Sequence, residues 1–374
     1  MALTRGRKAL LGLLVSAVLL GLAEGVVRGV LGPPTPPMIA FEPDHEDLLR
    51  IEGDRVYRSL QGPVELEPFP VKKRAQPRVI WLGGSSVHEA FGSDDHEASG
   101  QLRRRLSVES LNLGAPAVET DDLVPLVPQL LELEPDALVI YVGHNDRGNR
   151  VFEHWSDQER RTMAVRGLLR YSKLFETLDS RFRRPSPPRS VEVDVEAVHE
   201  RFEKNLSGIV DLARAKSVLV LLVTPASTAW APSVRWACPE TMRERLPVAD
   251  PVHMKTPERV LQGLDLEGDC RDLEWARAVV DRDIETLDRL RDTDPLPMRA
   301  DQRTVETVRR IAREHDALLV DLNAALREEG GGLEPHELFK DNLHFTPEGH
   351  SRVARLVAPV LREALDLGPD GSEP

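Results

Sequence analysis

Four short polar clusters in this sequence hold residue types that can do chemistry: Gly83-Gly84-Ser85-Ser86, Asn112-Leu113-Gly114, Gly143-His144-Asn145-Asp146 and Asp341-Asn342-Leu343-His344. A serine on a glycine-flanked turn exposes its hydroxyl and brings backbone N–H groups to where an oxyanion would form. Such a hydroxyl needs a base. His344 supplies one, and Asp341, three residues earlier, supplies a carboxylate to orient it. Each cluster alone has an ordinary explanation: a tight turn for the two glycines, a cap or turn pair for Asn145-Asp146. Their order along the chain points instead to nucleophilic serine chemistry.

Rivals exist within the same clusters. Ser86 is the alternative nucleophile and His350 the alternative base, although His350 falls inside a predicted helix where packing explains it. His88 and His144 lie near the site by sequence, as lining residues or as local hydrogen-bonding groups. Asp94, Asp95 and His96 form a small acidic group that reads as a solvated loop, and Asp341 with His344 has no further ligands clustered nearby, so no metal is expected. Gly83 to Gly92 supplies neither glycine pattern of a nucleotide-binding loop.

The elements that must position these residues are short apolar runs. Val79-Leu82, Val108-Leu113, Ala137-Val142, Val218-Val223 and Leu318-Leu322 read as buried strands, and the first three run directly into the first three clusters. Leu123, Leu126, Val127, Leu130 and Leu131, and the segment Val195-Ala215, have helical spacing between strands, which predicts right-handed crossovers and a parallel sheet. Polar residues just beyond the carboxyl ends of such strands are where ligands bind. Thr346 as cap and Pro347 at the first helical position open a final helix striped by Val353, Leu356, Val357, Val360 and Leu361.

The clusters and their setting resemble the SGNH (GDSL-like) hydrolase family: Val79 to Val87, Asn112 to Gly114, Gly143 to Asp146 and Asp341 to His344 are similar to its four segments, over about Arg78 to Leu365. The resemblance implies an α/β fold, a three-layer α/β/α sandwich with a central parallel sheet of about five strands in the flavodoxin-like arrangement. It also implies a serine esterase that works through an acyl-serine intermediate, with Ser85 as nucleophile, His344 as base and Asp341 orienting it. The oxyanion hole would be the backbone N–H groups of Ser85 and Gly114 with the side chain of Asn145, and no cofactor is implied. Where the family reads Gly-Asp-Ser, Gly84 stands here, a Gly-Gly-Ser variant that resembles exported members. The expected partner is an ester, an O-acyl group on an envelope or extracellular glycan being one such substrate. An O-acyltransferase acting on a cell-envelope polysaccharide, and a noncatalytic carbohydrate-binding relative, remain alternatives; the intact set of residues argues against the second.

Around this core the chain of 374 residues divides into an N-terminal segment (1–32), a linker and lead-in (33–77), the hydrolase-like domain (78–367) with insertions at about 147–190 and 226–297, and a polar tail (368–374). Apolar residues at 41% suffice for a sizeable core, and a net charge of −13 without a basic run disfavours nucleic acid as a partner. Arg5, Arg7 and Lys8 precede Ala9–Ala23, fifteen residues without a charge, which is the layout of an export signal. Gly21-Leu22-Ala23 suits cleavage after Ala23, giving a secreted protein. Yet apolar residues resume at Val26, Val27, Val30 and Leu31, and Glu24 and Arg28 stand four apart where they can pair, which suits an uncleaved membrane anchor facing outward. Asp272 to Arg291 in the second insertion has helical periodicity, Cys238 and Cys270 are placed for one local disulfide in an oxidising compartment, and Trp230, Trp236 and Trp275 are candidates for a sugar platform or for core packing.

Overall fold

The computed structural model describes residues 5–32, 49–58, 69–73, 75–87, 96–153, 172–182, 193–229, 261–294 and 297–368, with isolated positions between 154 and 171. In chain order, α1 (Arg5–Leu31) precedes the short strands β1 (Leu49–Glu52), β2 (Arg55–Arg58) and β3 (Phe69–Pro70). Then come β4 (Arg78–Gly83), α2 (Ala98–Leu106), β5 (Glu109–Asn112), α3 (Thr120–Leu131), β6 (Ala137–Tyr141) and α4 (Asn145–Glu153). They are followed by α5 (Lys173–Phe182), α6 (Val195–Ala215), β7 (Leu219–Val223), α7 (Arg271–Asp281), α8 (Ile284–Asp292) and α9 (Gln302–Glu314). Last are β8 (Leu318–Val320), α10 (Leu322–Glu329), a 3₁₀ turn over His336–Leu338, and α11 (Pro347–Ala364).

The chain forms two compact units, residues 1–40 with 155–186 and residues 41–154 with 187–374. Residues 155–186 of the first insertion thus group with the N-terminal helix, while its first residues, in α4, belong to the sheet unit. In the smaller unit, Glu24 on α1 accepts hydrogen bonds from Ser172 Oγ (2.6 Å), Lys173 N–H (2.7 Å) and Leu174 N–H (2.8 Å), and Arg28 pairs with it at 2.6 Å. Ser172 Oγ in turn accepts from Phe175 N–H at 3.1 Å, so the two side chains together satisfy three of the orphan donors that open α5. The side chains of α1 before Val15 lie outside the described residues, and among the described residues no helix is long and apolar enough to cross a membrane.

The larger unit is built on five parallel strands in the order β5-β4-β6-β7-β8, that is second, first, third, fourth, fifth, the flavodoxin-like order. Side chains alternate across the sheet. Ile80, Leu82, Leu138, Ile140 and Leu222 pack against α3, α6 and α9, while Val79, Trp81, Val139, Leu221 and Val223 pack against α2, α10 and α11. Three layers follow from that alternation. Within the lead-in, the described residues form an antiparallel sheet β1-β2-β3 whose first hairpin turns at Gly53-Asp54, with Gly53 at φ +62.

At the amino edge, Arg78 is fully buried and satisfied: Nε donates to Glu109 Oε2 (2.8 Å), and its terminal nitrogens reach the carbonyls of Leu133 (2.7 Å), Val71 (2.8 Å) and Pro70 (3.1 Å). Leu261, Trp275, Val279, Leu287 and Leu290 of the second insertion form a core cluster together with Leu333, which lies beyond it. The stretch of helical periodicity from Asp272 to Arg291 forms two helices, because Arg282 adopts φ +53 and Asp283 caps Thr286 N–H to start α8. Cys270 is disulfide-bonded, and Cys238 lies outside the described residues.

Candidate active site

β4 and β6 flank the point where the strand order reverses, the crevice in which open α/β sheets hold ligands. The turn after β4 presents Ser85. Val87 N–H closes it on Gly84 O (3.1 Å), and Asn112 at the end of β5 ties it down by donating to Val87 O (3.0 Å) and to Glu97 Oε2 (2.7 Å). Ser85 is partly exposed; Ser86 and Val87 are buried.

Ser85 Oγ lies 2.8 Å from His344 Nε2, and His344 Nδ1 lies 2.6 Å from Asp341 Oδ2. The other carboxylate oxygen, Oδ1, accepts the N–H groups of Leu343 (2.9 Å) and His344 (2.8 Å). Burial alone would raise the Asp341 carboxyl, but the His344 imidazole and these hydrogen bonds hold it below its ordinary value. The ionised carboxylate keeps the imidazole proton on Nδ1, which leaves the Nε2 lone pair for the serine hydroxyl. The loop is closed at its base by an antiparallel bridge between Phe339 and Phe345 and by Lys340 N–H on His344 O (2.7 Å).

Asn145 opens α4, and its Nδ2 donates to Val118 O at 2.8 Å. A Cβ built on Gly84 would fall 2.4 Å from that Nδ2. The Asn145 amide therefore occupies the space in which a side chain at position 84 would begin, a physical reason for glycine there. One turn further along α4, Asn149 Nδ2 donates to Ala117 O (2.8 Å), so two asparagines hold consecutive carbonyls of one turn. That turn, closed by Val118 N–H on Ala115 O (3.4 Å), has Pro116 followed by Ala117 at φ +60, the signature of a type II turn with alanine in the glycine place.

Gly114 differs from expectation. Its N–H is donated to Asn112 Oδ1 (2.9 Å), and a Cβ there would lie 3.0 Å from Val87 Cβ, so this glycine serves close packing and its N–H is already engaged. Among the described residues, the N–H groups of Ser85 and Ala117 have no hydrogen-bond partner, and both residues are partly exposed. Ala117, Asn149 and the brace formed by the Asn112 side chain were not legible as site residues; the only available signal was the one-turn spacing of Asn145 and Asn149.

The remaining candidates fall away from the site or outside it. His144 is buried with both ring nitrogens committed: Nδ1 accepts Ala300 N–H (3.1 Å) and Nε2 faces Tyr141 Oη (3.2 Å). Burial, with the nearby His344 and Arg299, pushes its pKa down to about 3, so it is neutral. His350 is buried on α11 with its ring edge-on to Phe345 at 5.6 Å. Trp275 is a core residue that donates to Ala229 O (3.0 Å), which removes it as a sugar platform. Trp230, Trp236, His88, Asp94 and Asp95 lie outside the described residues, and His96 is exposed. Among the described residues, no group of three or more His, Cys, Asp or Glu could hold a metal ion.

No protein-family model matches the chain. No curated protein matches it either. Solved structures similar to it include a lipase/acylhydrolase from Enterococcus faecalis, 16% identical with a TM-score of 0.41, covering 79% of this chain and 100% of that one. A GDSL-like lipase from Bacteroides thetaiotaomicron is 13% identical with a TM-score of 0.40, covering 78% and 93%. A catalytic mutant of an acetylxylan esterase from Geobacillus stearothermophilus is 14% identical with a TM-score of 0.38, covering 80% and 99%. The order of this chain's own sheet, with Ser85 and the Asp341–His344 pair gathered beyond its strand ends, is the three-layer α/β/α fold with five parallel strands expected from the sequence.

Proposed function

We propose that the chain is a serine esterase that cleaves a carboxylic ester through an acyl-Ser85 intermediate. The observation that carries this reading is the unbroken line from Ser85 Oγ to His344 Nε2 (2.8 Å) and from His344 Nδ1 to Asp341 Oδ2 (2.6 Å). As Ser85 Oγ attacks the ester carbonyl, its proton passes to His344 Nε2. The carbonyl oxygen becomes an oxyanion, for which this reading assigns the free N–H groups of Ser85 and Ala117 and the second amide proton of Asn145 as donors. The imidazolium gives its proton to the departing alcohol. Water then enters, His344 takes its proton, and the hydroxide attacks the acyl carbonyl; collapse returns the proton to Ser85 and releases the acid. Asp341 keeps the imidazole in the productive tautomer throughout.

The test is labelling of the protein with a fluorophosphonate, alongside a screen of short acyl esters and acetylated glycans. Labelling lost in Ser85→Ala and His344→Ala and kept in Ser86→Ala supports the reading. A folded wild type that neither labels nor releases acid from any ester overturns it and favours a binding role.

For localisation, the proposal is a protein that keeps α1 as an N-terminal anchor with the larger unit on the outer face. In support, α1 runs for 27 residues, about 40 Å at 1.5 Å per residue, and Val18, Leu20, Leu22, Val26 and Val30 on it are exposed. The Ala23–Glu24 bond lies inside this helix, and Glu24 is held by Ser172, Lys173 and Leu174, unlike the exposed loop tips where nicking concentrates. The intact mass of the protein recovered from membranes decides this: loss of residues 1–23 refutes retention.

A further inference from the structure

We propose that Tyr141 is a positioning residue that holds the Asp341–His344 loop in its working geometry by two separate routes, a proposal that rests on the esterase reading above. The first route runs through its hydroxyl. Tyr141 Oη accepts Ala226 N–H (3.0 Å) and donates to Ala226 O (3.1 Å), which grips the segment leaving β7 at one residue from both sides. Two residues on, Thr228 donates its N–H to Asn342 O (3.0 Å), inside the catalytic loop. His144 fixes the proton order: its Nδ1 accepts Ala300 N–H (3.1 Å), so Nε2 carries the hydrogen and donates to Tyr141 Oη (3.2 Å), leaving the phenol proton for Ala226 O. The second route runs through the ring, which packs on Phe345 at 6.0 Å between centroids. Phe345 follows His344 directly and forms the bridge to Phe339 that closes the loop. The two routes therefore end on either side of His344, and Tyr141 itself is the last residue of β6, a rigid central strand.

The experiment compares the full-length wild type with Tyr141→Phe, which loses only the hydroxyl route, and with Phe345→Leu, which loses only the ring route. Fluorophosphonate labelling rate, ester kcat and KM, and the downfield Nδ1 proton resonance of His344 are read on protein whose fold is checked by thermal unfolding. Tyr141→Phe should lower kcat and the labelling rate by about tenfold to a hundredfold with KM within about twofold, because a small misplacement of a base acts on the reacting state. It should cost little more when added to Asp341→Asn, since both act through the same imidazole. The Nδ1 resonance should broaden or vanish in Tyr141→Phe and in Phe345→Leu. An unchanged labelling rate and an unchanged resonance in folded Tyr141→Phe overturn the proposal; if that variant does not fold, an unchanged resonance in Phe345→Leu does so. A wild type that never labels but shows the resonance, with its loss in Tyr141→Phe, overturns the esterase reading and leaves the positioning role standing.

Discussion

Gly84→Ala isolates the tightest contact of the site. The added Cβ would stand 2.4 Å from Asn145 Nδ2, whereas ordinary contact begins near 3.4 Å, so one of the two must move by about 1 Å. The backbone at Gly84 is pinned by the Val87 hydrogen bond and the parallel strand behind it; the Asn145 amide is the end of a side chain and gives way first. Its 2.8 Å bond to Val118 O then breaks, at about 1 kcal/mol of stability, and under the esterase proposal its second amide proton is lost as an oxyanion donor. Loss of one such donor lowers kcat on the order of a hundredfold, or about 2.7 kcal/mol in the barrier.

The assay is a double-mutant cycle of Gly84→Ala and Asn145→Ala, with ester kcat and thermal unfolding measured on each protein. If the methyl acts by displacing Asn145, the double variant is about as slow as Asn145→Ala alone. Two independent effects would instead multiply to about ten-thousandfold. Either that product, or a Gly84→Ala protein within about threefold of wild type, refutes the steric account of the glycine.

Ala117→Gly removes the left-handed strain of an alanine at φ +60 while keeping the N–H, and should stabilise the protein by about 0.5–1 kcal/mol in denaturant unfolding with labelling unchanged; destabilisation would show the turn is unstrained. His144 is held neutral, its pKa lowered to about 3 from 6.5, so its contribution is fully present above pH 6.5 and fades as pH falls towards 3. Asp146, raised to about 6 by burial, and Asp122, raised to about 7 by burial and Asp121, act in the opposite sense, so the term is isolated by difference. The unfolding free energy of wild type minus His144→Gln should shrink by at most about 1.4 kcal/mol per pH unit below pH 6.5, and a constant difference would contradict the buried neutral state. Arg78→Met leaves Glu109 and several carbonyls unpaired at the sheet's amino edge and should cost about 3–5 kcal/mol while the folded fraction labels at the wild-type rate; slowed labelling would reveal coupling across the sheet.

The strands were legible because a strand buried on both faces writes itself as an unbroken apolar run. The apolar run Val79–Leu82 corresponds to the strand Arg78–Gly83, and Ala137–Val142 to the strand Ala137–Tyr141. α6 and α11 were equally plain, from periodicity and from Thr346, whose Oγ1 does accept Gly349 N–H at 3.2 Å. Two local signals run against the longer pattern. Gly53-Asp54 marks a two-residue hairpin in the lead-in, and Asp283 marks a new helix start in the middle of a stretch whose apolar spacing runs on through the break. In both, a turn cue was present and the longer pattern masked it.

The site divides along a different line. The grouping of Ser85, His344, Asp341 and Asn145 was legible because polar side chains gathered at one sheet edge leave residue types in fixed order beside strand ends. The contacts that hold them were invisible because nearly all end on backbone carbonyls: Asn112 on Val87, Asn145 on Val118, Asn149 on Ala117, Tyr141 on Ala226. A carbonyl is present at every residue and so leaves no mark of having been chosen. Gly114 shows the consequence. The resemblance implies a free N–H donor at this glycine, yet the asparagine two residues earlier turns back and takes that proton, a bond that no residue type announces. For a site of this kind, the groups that react are written in the side chains and the hole that receives the oxyanion is written in the path of the main chain, so the first can be read before the fold is known and the second only after.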